Sequence, residues 1–255
     1  MHRDIREVEA RPGRRRFEGA GGSVELQPAG FDQAIRIQVD ADDPGVWTSL
    51  LEYGVQQARA DGMTLAVSVV REDDARVDRL EGAGFAVRWR SWGAELVLPE
   101  NPDWTRYDAL IPPELEIREL GQADADLAYE MYERAAGDFP MTPATLHERQ
   151  SATEFATMVR DQRVFGAVAD GRWLGITVST IDGREVDTFI TVTDPEWRGQ
   201  GLAAAIKAVM IRALYAEGAR VFRTGGAEVN LPMLAVNAKL GYVREPWWLT
   251  FGKEI

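Results

Sequence analysis

The chain has no cysteine, which removes disulfides, thiolate nucleophiles and thiolate metal sites and leaves nothing that calls for an oxidising compartment. Histidine is almost as scarce, with 2 in 255 residues, so a histidine-built metal site is not expected. No apolar run approaches the length needed to span a bilayer, and Met1-His2-Arg3-Asp4-Ile5-Arg6 leads into a charged stretch without the apolar core of a signal peptide. A cytoplasmic protein with no membrane partner is the expectation. Basic residues are outnumbered: 29 Lys and Arg against 41 Asp and Glu give a formal net charge of −12. That balance argues against nucleic acid as a partner, because phosphate contacts need clustered Lys and Arg. It permits a cationic substrate. What is present is ordinary for a folded protein, 45% hydrophobic and 27% charged. The length suits one large domain or two of usual size, as a monomer or homodimer.

Four prolines between Pro99 and Pro113 interrupt both strand and helix periodicity, so residues 99–113 read as a linker between segments 1–98 and 114–255. Before the linker, Ser23–Gln27 and Ala34–Val39 alternate as strands around Pro28-Ala29-Gly30. Val46–Ala60 has helical spacing and stops at Gly62. Thr64–Val70 reads as a buried strand, Ala75–Glu81 as a short helix before Gly84-Phe85, and Ala94–Leu98 as a last strand. After the linker come a strand at Leu115–Leu120 and helices at Ala123–Ala136 and Ser151–Arg160. A hairpin of Val164–Ala169 and Leu174–Ser179 turns at Asp170-Gly171, and Val186–Val192 extends the sheet. The helix Gly201–Glu217 places Leu202, Ile206, Val209 and Ala213 on one face and stops at Gly218. Arg220–Thr224, Leu231–Leu240 and Trp247–Phe251 close the chain as strand, helix and strand. The fold class is mixed α/β. Helix, Gly, strand, short helix and Gly-aromatic recur in both halves at an offset of about 156 residues, which points to two copies of one domain.

The strongest local signal is Val192-Thr193-Asp194-Pro195-Glu196-Trp197-Arg198-Gly199-Gln200-Gly201-Leu202-Ala203, a strand running into a glycine loop that opens an amphipathic helix. Glycines let backbone N–H groups approach phosphate oxygens, and the helix N-terminus adds free donors and a positive dipole end. Alone, the two glycines could equally serve only to turn the chain tightly.

In this context the sequence resembles the GNAT superfamily of N-acetyltransferases, whose acetyl-CoA loop is Arg or Gln, two residues, Gly, one residue, then Gly or Ala. Arg198, Gly201 and Ala203 match that pattern. Asn230, Met233, Asn237, Leu240, Gly241 and Tyr242 resemble its closing motif, and the element order matches over Leu115–Lys253. The whole is similar to the actinobacterial tandem GNAT group to which mycothiol synthase belongs. The resemblance implies two GNAT-like domains in tandem, an N-terminal one that is truncated and degenerate and a catalytic C-terminal one. At the loop position of the N-terminal copy stands Asp40-Ala41-Asp42-Asp43-Pro44-Gly45-Val46-Trp47, whose acids would repel a pyrophosphate.

The resemblance further implies that the backbone of Thr191, Val192 and Thr193 pairs with the pantetheine arm of acetyl-CoA. The loop of Arg198, Gly199, Gln200, Gly201, Leu202 and Ala203 would hold the pyrophosphate. Acetyl would then pass to the primary amine of a small molecule by direct attack in a ternary complex. The contrasting reading is a non-catalytic acyl-CoA-binding or sensor protein. Asp187 is the candidate general base, since something must take the proton of an amine that is mostly protonated at neutral pH; it could also be a solvated strand aspartate. Strand alternation puts Asp187, Phe189, Thr191 and Thr193 on one face. Many relatives carry a tyrosine general acid where this chain has Asn237. A thiolate with a thiol pKa near about 8.5 is a fair leaving group, so Asn237 need only donate a hydrogen bond near the sulfur. Asn230 caps the last helix or binds the cofactor arm. Arg11, Arg14, Arg15 and Arg16 form an anion patch or a solvated face, and Trp247 and Trp248 line an acceptor pocket or lie in the core. Asp138, in the loop after the first C-terminal helix, could hold an ammonium group or simply precede a turn.

Overall fold

A computed structural model describes residues 5–19, 21–140, 142, 144, 145 and 147–255; the opening residues Met1–Asp4 of the sequence reading lie outside them. The contacts divide the chain into two compact units. One runs to Ser91 and includes Thr142, Ala144, Thr145 and Pro246–Ile255; the other holds Trp92–Pro140 and His147–Glu245.

In the N-terminal unit, β1 (Arg6–Val8), β2 (Arg15–Gly19), β3 (Gly22–Pro28) and β4 (Ala34–Asp40) form an antiparallel meander. Helix α1 (Pro44–Ala60) then crosses to β5 (Leu65–Arg71), which pairs in parallel with β4. Asp43 caps α1, accepting from the Val46 N–H at 2.8 Å, with Pro44 in the first turn where its missing donor is not needed. Helix α2 (Arg76–Gly82) leads into β6 (Ala86–Val97). The core gathers Phe17, Val24, Leu26, Ile37, Leu50, Leu51, Leu80, Phe85 and Phe251, each large side chain contributing about 1.5–3 kcal/mol by leaving water.

Three expectations are corrected here, and for the arginine run the solvated face is the alternative that fits. The short strand expected at Ala94–Leu98 is the end of the much longer β6, because alternation persists through Arg88, Arg90 and Trp92. The arginine run falls partly in β2 and is held by carboxylates: Arg14 by Glu25, Arg15 by Glu7 and Asp61, Arg16 by Glu18. The C-terminal strand β13 (Trp248–Glu254) pairs antiparallel with β5 and with residues 86–91 of β6, so it belongs with the N-terminal unit. Trp247 accordingly packs on that unit's core and Trp248 is partly exposed. Residues 99–113 are not a free linker. They carry α3 (Thr105–Asp108), where Tyr107 is buried, donates to Leu240 O at 3.0 Å and stacks edge-on with Trp104.

In the C-terminal unit, β7 (Glu116–Glu119), α4 (Ala125–Ala136) and α5 (Ala152–Asp161) precede β8 (Arg163–Ala169), β9 (Arg172–Asp182) and β10 (Glu185–Thr193). Then come α6 (Leu202–Ala216), β11 (Val221–Ala227), α7 (Leu231–Leu240) and β12 (Val243–Arg244). Ser151 and Glu154 form a reciprocal capping box on α5. Strands β7 to β10 are antiparallel neighbours and β10 pairs in parallel with β11, giving a mixed sheet. Residues 176, 178, 190 and 192 face the core made with α4 and α5. The buried face of α6 includes Leu202 and Ile206, as spacing suggested, and continues through Lys207, Met210, Ile211 and Leu214, leaving Val209 and Ala213 half-buried.

The closing segments of the two units match bond for bond. After α1, Gly62 N donates to Arg59 O and Met63 N to Ala58 O; after α6, Gly218 N donates to Tyr215 O and Ala219 N to Leu214 O. After α2, Gly84 N donates to Glu81 O and Phe85 N to Leu80 O; after α7, Gly241 N donates to Ala238 O and Tyr242 N to Asn237 O. All four glycines have positive φ, between 76° and 112°, where a side chain would be strained.

Candidate functional site

The parallel ladder between β10 and β11 runs only from Glu185↔Val221 to Thr188↔Thr224. Beyond it β10 continues to Thr193 and β11 to Ala227 without pairing to each other. Strand main chain that loses its ladder offers donors and acceptors to an extended ligand. The divergence coincides with a bulge: Thr188 opposes Ser179, but Ile190 opposes Val178, leaving Phe189 unmatched and half-exposed.

That bulge overturns the expectation that Asp187, Phe189, Thr191 and Thr193 share a face. Asp187 opposes Thr180, on the even-numbered face of β9 with Ile176 and Val178, toward α4 and α5. Thr191 opposes Thr177 and bonds its hydroxyl at 2.9 Å. Thr193 lies on the α6 side, since a Cβ on Gly175 would meet both Thr193 Cγ2 and Ile206 Cδ1. One extra residue thus turns Asp187 to one side of the sheet and Thr191 and Thr193 to the other. Val192 spends its side chain in the core, leaving its backbone for a ligand.

After β10, Asp194 is buried and accepts from Glu196 N at 3.1 Å and from Arg134 at 2.8 Å. Burial opposes its charge, but Arg134 and the Glu196 N–H hold its pKa below the ordinary aspartate value. This anchors the turn Pro195–Trp197 that launches the loop. Gly199 and Gly201 have φ of 77° and 85°, and no heavy atom lies within 4 Å of the Cβ either would carry. The glycines therefore answer to backbone conformation, and the surface over them is open. Gly201 is the N-cap of α6, with no side-chain cap, and the first helical bond is Ala205 N to Gly201 O at 3.1 Å. The N–H groups of Leu202, Ala203 and Ala204 precede that bond and point off the helix end. Free donors at a positive dipole end are the chemistry that suits an anion. Leu202 is buried, Ala203 half-buried, and Gln200 Nε2 donates to Glu196 O at 3.1 Å. Arg198 is exposed and pairs with Asp138 at 2.9 Å, with Nε 3.4 Å from Thr193 O. A pyrophosphate at this end would compete with Asp138 for the guanidinium.

Asn230 accepts from Met233 N at 3.3 Å, so the cap uses its Oδ1. Asn237 is buried, and its Oδ1 accepts a 2.8 Å bond from Lys207 Nζ. Sequence reasoning missed Lys207. It is fully buried on α6, 4.9 Å from the Tyr242 ring centroid, and desolvation pulls its pKa from 10.5 to about 7. Desolvation likewise pushes the Tyr242 hydroxyl up and keeps it neutral. Among the described residues, Asn237 Nδ2, Tyr242 OH and Thr188 Oγ1 are buried without a hydrogen-bond partner; Tyr242 lies beside Thr188 but out of good geometry. The signal in the sequence was a lone cation inside the apolar stripe Ile206, Met210, Ile211.

On the α4 and α5 side, Tyr129, Tyr132, Phe139, His147 and Phe155 form an aromatic cluster. The Tyr132 hydroxyl accepts from Gln150 N at 3.0 Å and bonds His147 Nε2 at 2.9 Å, and burial lowers the His147 pKa. In the N-terminal unit an open depression of about 750 Å³ sits at the end of β4, where Arg6 and Arg16 stand among Glu18, Asp40 and Asp42. No group of three or more His, Asp or Glu among the described residues could hold a metal ion. No helix among them is long and apolar enough to cross a membrane.

The fold is that of solved GCN5-related N-acetyltransferases. A GCN5-related N-acetyltransferase from Sphaerobacter thermophilus superposes with a TM-score of 0.73 over 97% of this chain and 82% of its own, at 15% identity. A tandem GNAT protein from the clavulanic acid biosynthesis pathway gives 0.65 over 96% and 84%, at 20% identity. An acetyltransferase of the GNAT family from Colwellia psychrerythraea gives 0.69 over 98% and 99%, at 11% identity. No protein-family model matches the sequence, and no curated protein sequence matches it.

Proposed function

We propose that the chain is an N-acetyltransferase that moves acetyl from acetyl-CoA to the primary amine of a small molecule by direct attack in a ternary complex. The observation that carries this is the fork of β10 and β11 ending beside a helix whose N-terminus has no side-chain cap. The free edge of Thr191, Val192 and Thr193 would pair with the pantetheine arm, and the N–H groups from Gly199 to Ala204, with Arg198, would take the pyrophosphate. Attack forms the C–N bond and breaks C–S; Asp187, exposed on the α4 and α5 side, accepts the amine proton directly or through water. Asn237 Nδ2 donates to the departing sulfur.

The N-terminal unit is read as the degenerate copy of a tandem pair, supporting the catalytic one and binding no acyl-CoA. Its matching turns support the duplication, and Asp43, which already caps α1, occupies the place that a phosphate would need. On this reading the 114–255 copy gives up its last strand, because β13 sits with the N-terminal unit. We place the protein in the cytoplasm, as a monomer or homodimer without nucleic-acid or membrane partners.

Release of thiol from acetyl-CoA, followed against a panel of amino acids, polyamines, aminosugars and peptides, tests the reading. Turnover with one amine class supports it. Tight binding with no turnover on any amine gives the site to a non-catalytic acyl-CoA sensor.

A further inference from the structure

The two units carry different side chains at the same structural places. Matching the parallel ladders sets Arg36↔Val67 against Asp187↔Arg223, and so Ile37 against Thr188. Matching the turns after α1 and α6 sets Leu51 against Lys207, and those after α2 and α7 set Leu80 against Asn237 and Phe85 against Tyr242. In the N-terminal unit Ile37, Leu51, Leu80 and Phe85 all belong to one apolar cluster. The C-terminal unit has at those places a hydroxyl, an ammonium, an amide and a phenol, all buried. The topology therefore packs without any of the four polar groups, and an apolar version of this cluster is the cheaper way to fill the space.

Three of the four have an atom with no protein partner, while Lys207 and Asn237 are bonded to each other. The observed bond commits the carboxamide: Lys207 Nζ donates to Oδ1, and the two N–H donors of Nδ2 are left for something else. Thr188 is the last residue of the β10–β11 ladder, which puts this cluster at the base of the fork.

We infer that Lys207 is a positioning residue of the acyl-transfer site, holding Asn237 so that its amide N–H donors, and not its carbonyl, meet the sulfur of the acyl donor as it becomes a thiolate. This rests on the acetyltransferase reading above. Without the lysine, the Asn237 amide can rotate and present Oδ1 to the sulfur, which would repel the developing charge. The lysine touches neither substrate nor reacting atoms and acts through the amide.

The test uses the full chain, with acetyl-CoA and the best amine of the panel. Lys207→Leu, the residue the N-terminal unit has at this place, should lower kcat about tenfold to a hundredfold, short of what losing a direct donor does. The KM for acetyl-CoA should stay within about twofold, because the pyrophosphate end is untouched. Lys207→Leu with Asn237→Leu gives both places the residues of the N-terminal unit; its kcat should equal that of Asn237→Leu alone, since the lysine has nothing left to orient. With CoA bound, thiolate ultraviolet absorbance should titrate at a lower pH in the wild type than in Lys207→Leu, a readout that packing alone would not move. Unchanged kcat and thiol titration in Lys207→Leu overturn the inference while leaving the acetyltransferase reading intact, as does a double variant that loses the product of the two single losses. A wild type that turns over no amine overturns the acetyltransferase reading first, and this inference with it.

Discussion

Burial of Lys207 makes a prediction about stability that involves no substrate. In the unfolded chain its ammonium titrates near 10.5, and in the folded protein at about 7. Between those values the unfolded state binds more protons, so stability rises with pH through the window. Below about 7 both states are charged and the whole desolvation penalty stands; above 10.5 both are neutral and it is gone. The slope starts at half its full value at pH 7 and then approaches a tenfold change in the folding constant per pH unit, which sums to about 2 kcal/mol from pH 7 to 9. For a chain of this size that is a Tm change of roughly 4–8 °C. Among the described residues burial alone shifts it: the amine bonds the Asn237 amide and lies over the Tyr242 ring, and Tyr242 stays neutral throughout. Lys207→Leu lacks only this titration, and the unpaired Asn237 Oδ1 it creates carries no charge. Thermal melts of wild type and Lys207→Leu at half-unit steps from pH 6.5 to 9.5 should show the wild type gaining on the variant steadily as pH rises. Parallel curves would show that the ammonium is solvated in solution and would refute the buried placement.

At the loop, acetyl-CoA at about 100 times its Kd should add about 2.7 kcal/mol of stability, and Arg198→Glu should abolish most of the resulting Tm rise; an unchanged shift in the variant would move the site elsewhere. Calorimetry should find one acetyl-CoA per chain, because Asp43 caps α1 where a second pyrophosphate would sit, and two sites would sink the reading of the N-terminal copy as degenerate. Asp187→Asn should lower the acetylation rate by roughly a hundredfold at neutral pH with acetyl-CoA affinity almost unchanged and partial recovery at higher pH. Wild-type turnover across the pH range would remove Asp187 from the role of base.

What could be read in the sequence was whatever local chemistry decides. The glycines at 199 and 201 announce a positive-φ turn at a helix start, the Asp170-Gly171 hairpin is closed by two residues with positive φ, and Leu231–Leu240 ends where Gly241 forces it to. Elements fixed by partners far along the chain were harder. β13 alternates like any closing strand, and only pairing with β5 decides which half it completes. Trp104 and Tyr107 sit in a proline-rich stretch that reads as linker, yet they pack as a one-turn helix. The bulge at Phe189 has no local marker, and it decides which side of the sheet Asp187 serves. A period-2 argument carried across it puts base and cofactor strand on one face, whereas the register gives Asp187 to the α4 and α5 side and leaves Thr191 and Thr193 to α6. On the proposed reaction, the pantetheine strand and the candidate proton acceptor Asp187 then lie on opposite faces of the sheet, not on one. Lys207 was missed, although the repeat held its signal. Set against Leu51 of the other half it stands out at once, because the duplicated fold shows what the position needs for packing alone, and everything beyond that need is left for function to explain.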